Sequence, residues 1–178
     1  RFVFPHAPRR PVSINMGLIM RAWFDIRDLD FRGDADEKGI RDSIARIAAL
    51  LARERERGVA SRRILLAGFS QGGAIALHVA LRHPEPLAGV VALSTYLTGG
   101  ATLEPDPAGA DRPLPVFQAH GTDDPMISLE RGEETRDRLR ALGCAVTWKT
   151  YPMEHEVCAD EVADMCAWLR DRLADGQK

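Results

Sequence analysis

The sequence predicts an α/β domain with a mainly parallel sheet and helices on both faces. Ile64-Leu65-Leu66-Ala67 and Val90-Val91-Ala92-Leu93 are short apolar runs without polar alternation, as expected of strands covered on both sides. Segments of helical period stand between such runs, so strand and helix alternate along the chain. Glycine and proline clusters punctuate the units.

Residues 2–4, Phe-Val-Phe, read as a short strand stopped by Pro5 and Pro8, and the stretch to about residue 34 reads as a long loop with no sustained period. From residue 36, Ile40, Ile44, Ile47, Leu50 and Leu51 form a helical stripe, with Gly58 as a natural stop. Residues 64–67 form a strand, residues 71–82 a helix closed by Pro84, and residues 90–93 a second buried strand. Residues 94–113 are rich in Gly, Pro, Thr and Asp, and 95–113 suits a mobile flap over a ligand site. A strand at 116–119, a charged helix at 129–142, a strand at 146–151 and a last helix at 159–173 complete the order. Ligands of such sheets sit at the carboxyl ends of the strands.

A chain of 178 residues can bury one sizeable core, so a single domain over residues 1–178 is expected. Lys and Arg number 24 against 26 Asp and Glu, a net charge of −2 that disfavours nucleic acid and anionic membrane as partners. The apolar runs are far shorter than the roughly 18 to 20 residues that span a bilayer, which argues against stable membrane insertion. Cys144, Cys158 and Cys166 form no C-x-x-C pair and are odd in number, which fits a reducing, cytoplasmic compartment. The chain opens at Arg1 directly on a strand-like run and so reads as N-terminally incomplete.

Chemistry concentrates at Gly68-Phe69-Ser70-Gln71-Gly72, a G-x-S-x-G string followed by Gly73. A buried strand enters it and a helix with Ala74, Ala76 and Ala80 leaves it, the context of a nucleophile elbow. So sharp a turn projects the serine hydroxyl above the sheet and leaves no room for side chains beside it. Ser70 is the candidate nucleophile, and the main-chain N–H of Gln71 is a candidate oxyanion donor. The competing reading is a serine that merely caps the helix.

A serine hydroxyl needs a base and an orienting acid, in the chain order Ser, acid, His. His78 lies within the helix leaving the elbow and His83 at its end. His120 ends the 116–119 strand, where an acid is expected. His155, in the loop before the final helix, occupies the position of a base. Asp123 and Asp124 both follow the preceding strand, and spacing does not separate them. Glu154 and Glu156, immediate neighbours of His155, are poorly placed to bond its ring. Nothing in the pattern asks for a cofactor or a metal.

Phe4-Pro5-His6-Ala7-Pro8, Ala22-Trp23-Phe24-Asp25-Ile26, Gly68-Phe69-Ser70-Gln71-Gly72-Gly73, His120-Gly121-Thr122-Asp123-Asp124-Pro125 and Met153-Glu154-His155-Glu156-Val157-Cys158 together resemble the phospholipase/carboxylesterase family of α/β-hydrolases. The resemblance covers essentially the whole chain in order. It implies an α/β-hydrolase fold and a cytosolic serine esterase, often dimeric, with a shallow apolar acyl groove. It implies Asp124, the aspartate before proline, as the acid, His155 as the base, and Trp23, Leu97 and Met126 near the substrate. It also implies a second oxyanion donor from an upstream H-G-x-G loop, a segment this sequence lacks. The expected activity is hydrolysis of small to medium acyl esters. The alternatives are acyl-protein thioesterase or lysophospholipase action, or a non-catalytic binding protein of the same fold.

Overall fold

The computed structural model describes residues 1–28, 35–98 and 113–175. Four strands form one parallel sheet in sequential order: β3 (Leu65–Phe69), β4 (Gly89–Leu93), β5 (Pro115–Gly121) and β6 (Ala145–Tyr151). The helices are α1 (Glu37–Glu56), α2 (Gln71–Leu81), α3 (Leu129–Ala141) and α4 (Ala159–Asp175). These are the strands and helices expected from residue 36 onward, shifted at their ends by a few residues.

Side chains along β4 and β5 alternate between two cores, as successive residues of a strand must. Val90, Ala92 and Val116 pack with Leu77, Ala80 and Leu81 of α2 and Leu139 of α3. Val91, Leu93, Phe117 and Ala119 face the other way, against Met165, Trp168 and Leu169 of α4. Both faces of the central strands are therefore covered, which explains why their sequence shows no polar alternation. A third cluster joins Ile40 and Leu51 of α1 to Ile75 and Val79 of α2. The side chain of Asp36 caps α1, accepting from Gly39 N at 3.0 Å and from Asp25 N at 2.9 Å, with the Arg10 guanidinium at 3.1 Å. Burial alone would raise this carboxyl, but the two backbone hydrogen bonds and the charges of Arg10 and Arg27 hold it below its ordinary value.

Two expectations for the N-terminal segment are corrected. Residues 2–4 form no strand: Phe2 and Phe4 are 85% and 86% exposed and stack on each other with ring centroids 6.2 Å apart. An extended run becomes a strand only where a neighbour takes up its backbone hydrogen bonds, and none among the described residues does so here. The stretch expected as loop contains instead an antiparallel ribbon, β1 (Arg9–Val12) and β2 (Leu18–Arg21). Its turn uses positive φ at Met16 (53°) and Gly17 (74°). The ribbon eluded the pattern because Pro11 is tolerated in so short a pair and only Val12 of its residues is buried.

The register aligns the carboxyl ends of the sheet: Phe69 pairs with Leu93, Leu93 with Ala119, and Gly121 with Tyr151. The loops holding Ser70, Asp124 and His155 therefore leave the same end. Among the described residues β3 forms one edge of the sheet, and its residues are partly buried or exposed where those of β4 are wholly buried. Of the expected flap, residues 99–112 lie outside the described residues. Residues 95–98 are buried rather than surface-lying.

Candidate active site

Ser70 sits between β3 and α2 with φ 53° and ψ −125°, a conformation that costs an L-residue strain and occurs where the surroundings impose it. The Ser70 N–H donates to Leu93 O at 2.9 Å, and its carbonyl accepts from Thr95 Oγ1 at 2.7 Å and from Ala74 N at 3.2 Å. The backbone is thus held on both sides while the hydroxyl makes no capping bond to the helix, which removes the simple cap reading. Of the glycines around the elbow, Gly68 and Gly73 are sterically required, whereas Gly72 is not, since a Cβ there would meet nothing nearer than the Trp23 indole at 3.9 Å. A Cβ on Gly68 would collide with the Gly72 carbonyl, and one on Gly73 would lie 2.8 Å from the Thr95 side chain. Gln71 opens α2, so its N–H lacks an intrahelical acceptor and lies at the positive end of the helix.

Asp124 and His155 meet although 31 residues apart: His155 Nδ1 donates to Asp124 Oδ2 at 2.8 Å. The Asp124 side chain is fully buried, and its Oδ1 accepts from the N–H groups of Met126 and Ile127, both at 2.9 Å. Its two oxygens are thereby assigned, one to the loop backbone and one to the imidazole. Asp123 is exposed, accepts from Thr122 Oγ1 and donates its N–H to Met153 O at 3.1 Å. The structure therefore brings Asp124, not Asp123, to the histidine, a distinction that spacing left open.

His155 packs on Phe69, the residue before Ser70, with ring centroids 4.7 Å apart, which draws the histidine loop onto the elbow. The approach also needs Gly121, where a Cβ would strike the carbonyls of Met153 and Glu154. With the carboxylate on Nδ1, the imidazole keeps its Nε2 lone pair for a proton acceptor's work.

His120 lies inside β5 rather than in a loop and is fully buried. Its Nε2 donates to Ile127 O at 2.8 Å and stands 3.5 Å from Asp124 Oδ2, a second imidazole beside the acid. Burial first of all lowers its pKa, keeping it neutral. The sequence reading missed this contact, whose trace is the His-x-x-x-Asp spacing of 120 and 124. His78 is buried within α2 against Thr98 Oγ1 at 2.6 Å.

Of the residues expected near substrate, Trp23 is half-buried, its indole Nε1 3.9 Å from where a Cβ on Gly72 would stand. Met126 is 48% exposed beside the acid loop. Leu97 is buried in the core with Ala76 and Leu77. Among the described residues, no cluster of three or more His, Cys, Asp or Glu side chains is arranged to hold a metal ion, and no helix is long and apolar enough to cross a membrane.

Comparison with known proteins agrees with this geometry. The family Phospholipase/Carboxylesterase matches residues 1–173. Acyl-protein thioesterase 1 of Gibberella zeae is 39% identical over 97% of the chain and 77% of its own length, and that of Mycosarcoma maydis is 42% identical over 95% and 76%. The crystal structure of Arabidopsis thaliana SOBER1 superposes with a TM-score of 0.88 at 30% identity, over 96% of this chain and 83% of that one. Zea mays acyl-protein thioesterase 2 superposes with a TM-score of 0.84 at 32% identity, over 95% and 80%. An elbow serine and a buried acid hydrogen-bonded to a histidine at one end of a parallel sheet, together with a match over nearly its whole length, make this chain a member of the phospholipase/carboxylesterase family of α/β-hydrolases.

Proposed function

We propose that the protein hydrolyses carboxylic acyl esters through an acyl-enzyme on Ser70. His155 takes the Ser70 proton as the oxygen attacks the acyl carbonyl, and Asp124 fixes the tautomer and stabilises the imidazolium. The developing oxyanion is met by the Gln71 N–H at the amino end of α2. Collapse of the tetrahedral intermediate expels the alcohol, protonated by His155. Water activated by the same imidazole then releases the acid and frees Ser70. Trp23 and Met126 flank the acyl group. The observation that carries this reading is the hydrogen bond from His155 to the buried Asp124 carboxylate, with the His155 ring packed on Phe69, the residue before Ser70.

A second reading, thioester cleavage, is favoured by the relatives named acyl-protein thioesterases, and it changes only the leaving group. The proposed setting is cytoplasmic, with a small-molecule or acylated substrate and a possible homodimer. A fluorophosphonate probe tests the mechanism: it should label Ser70 and fail on Ser70→Ala, and an unlabelled wild-type protein would favour a non-catalytic binding role. Matched oxygen esters and thioesters of one acyl chain then separate the two hydrolase readings by their kcat/KM.

A further inference from the structure

The Gln71 side chain does something the elbow motif does not require. It crosses to the segment after β2, where Oε1 accepts from Trp23 N and Nε2 donates to Phe24 O, both at 3.0 Å. Trp23 is also held from the other side by α1, because Ser43, fully buried, donates its hydroxyl to the Trp23 carbonyl. Flanking bonds from Ala22 N to Pro8 O at 3.1 Å and from Asp25 N to Asp36 Oδ2 at 2.9 Å complete the attachment. The segment 22–25 has no secondary structure of its own. Its place is set by these side chains, and its indole stands over the amino end of α2 beside Gly72.

We propose that Gln71 is a positioning residue through its side chain, locking Trp23 as the wall against which the acyl chain lies, so that acyl-chain discrimination depends on this clamp. The inference rests on the hydrolase reading above and deepens it. One residue then serves two ends: its main-chain N–H faces the reacting oxygen, while its carboxamide sets the acyl wall beside it. The carboxamide suits the task because it supplies one acceptor and one donor in a plane, matching the N–H of Trp23 and the carbonyl of Phe24.

Gln71→Met keeps the main-chain amide and the side-chain length and removes both bonds. Gln71→Glu keeps the acceptor but sets a carboxylate against the Phe24 carbonyl. Ser43→Ala loosens the same segment from the α1 side and provides a folded variant should the Gln71 changes not fold. The first readout is the kcat/KM ratio for p-nitrophenyl octanoate over acetate, expected to fall about tenfold in Gln71→Met, since small misplacements of a positioning group cost rates of that order. A purely structural role would lower Tm and leave the ratio alone. The second readout is fluorine NMR of fluorotryptophan-labelled protein, in which the Trp23 line should move while those of Trp148 and Trp168 stay. In Gln71→Glu, the Trp23 line should return toward its wild-type position as pH falls through the titration of the new carboxyl, because the neutral form again offers one donor and one acceptor. A ratio within about twofold of wild type in all folded variants, or an unmoved Trp23 line, overturns the proposal. If wild-type protein turns over neither ester and resists the fluorophosphonate, the hydrolase reading fails, and the Trp23 line by itself decides whether Gln71 places that residue.

Discussion

Asp124→Asn changes one atom, and the surroundings dictate what that atom does. The two N–H groups of Met126 and Ile127, each 2.9 Å from Oδ1, accept no –NH2 group there. The asparagine oxygen must face them, which turns its –NH2 toward His155 Nδ1, now at 2.8 Å from the carboxylate. A donor at that place forces Nδ1 to accept and moves the imidazole proton to Nε2, removing the lone pair that would take the Ser70 proton. The same –NH2 also confronts the Nε2–H of His120, which stands 3.5 Å from Oδ2 and is committed to Ile127 O. Shape is conserved and charge is lost, so the fold should survive while kcat drops about ten-thousand-fold, or about 5 kcal/mol of transition-state stabilisation. Initial rates of p-nitrophenyl butyrate hydrolysis, with circular dichroism as the folding control, measure it. Asp123→Asn is the internal control: this side chain is exposed and bonded only to Thr122, so activity should stay within about twofold. A folded Asp124→Asn within about tenfold of wild type, or an equal loss in Asp123→Asn, refutes the assignment.

Other expectations follow from the same structure. Ser70→Gly should abolish hydrolysis yet raise unfolding stability by about 1 kcal/mol by relieving the positive φ at this position, and urea titration that finds it destabilised would contradict the strain argument. Glu161 is fully buried with neither carboxyl oxygen partnered among the described residues, and burial pushes its pKa from 4.5 to about 7. The folded state therefore holds its proton more tightly than the unfolded state, so this group makes stability fall as pH rises from about 4.5 through 7. Glu161→Gln should be the more stable protein at about pH 8, by at most about 3 kcal/mol, and its advantage should vanish by about pH 4.5; parallel pH profiles of Tm for the two proteins would refute this. His78 is shifted the other way, down to about 4, chiefly by burial and then by the Arg82 charge, so its contribution is present above 6.5 and lost as pH falls toward 4. Replacing Phe2 and Phe4 by Ser should leave Tm unchanged, since both rings are exposed, and a lowered Tm in differential scanning calorimetry would contradict this.

The sequence by itself determined the alternation of buried strands with helices and the elbow, because both rest on local physics. A strand covered on two faces must be apolar throughout, as β4 is, and a strand-to-helix turn as tight as the one at Ser70 tolerates only glycine at 68 and 73. It also located His155, whose place after the last strand follows from chain order. Three things were decided by the tertiary structure. The β1–β2 ribbon owes its existence to pairing between two segments with one buried residue between them, so no burial period marks it. Spacing left Asp123 and Asp124 open where the family resemblance pointed to Asp124, and the physical choice is made by which carboxylate the turn at 124–127 aims inward. The clamp from Gln71 to Trp23 and Phe24 spans 48 and 47 residues. Long-range polar contacts of this kind leave no periodic trace, because each depends on where two otherwise unrelated backbone segments come to rest.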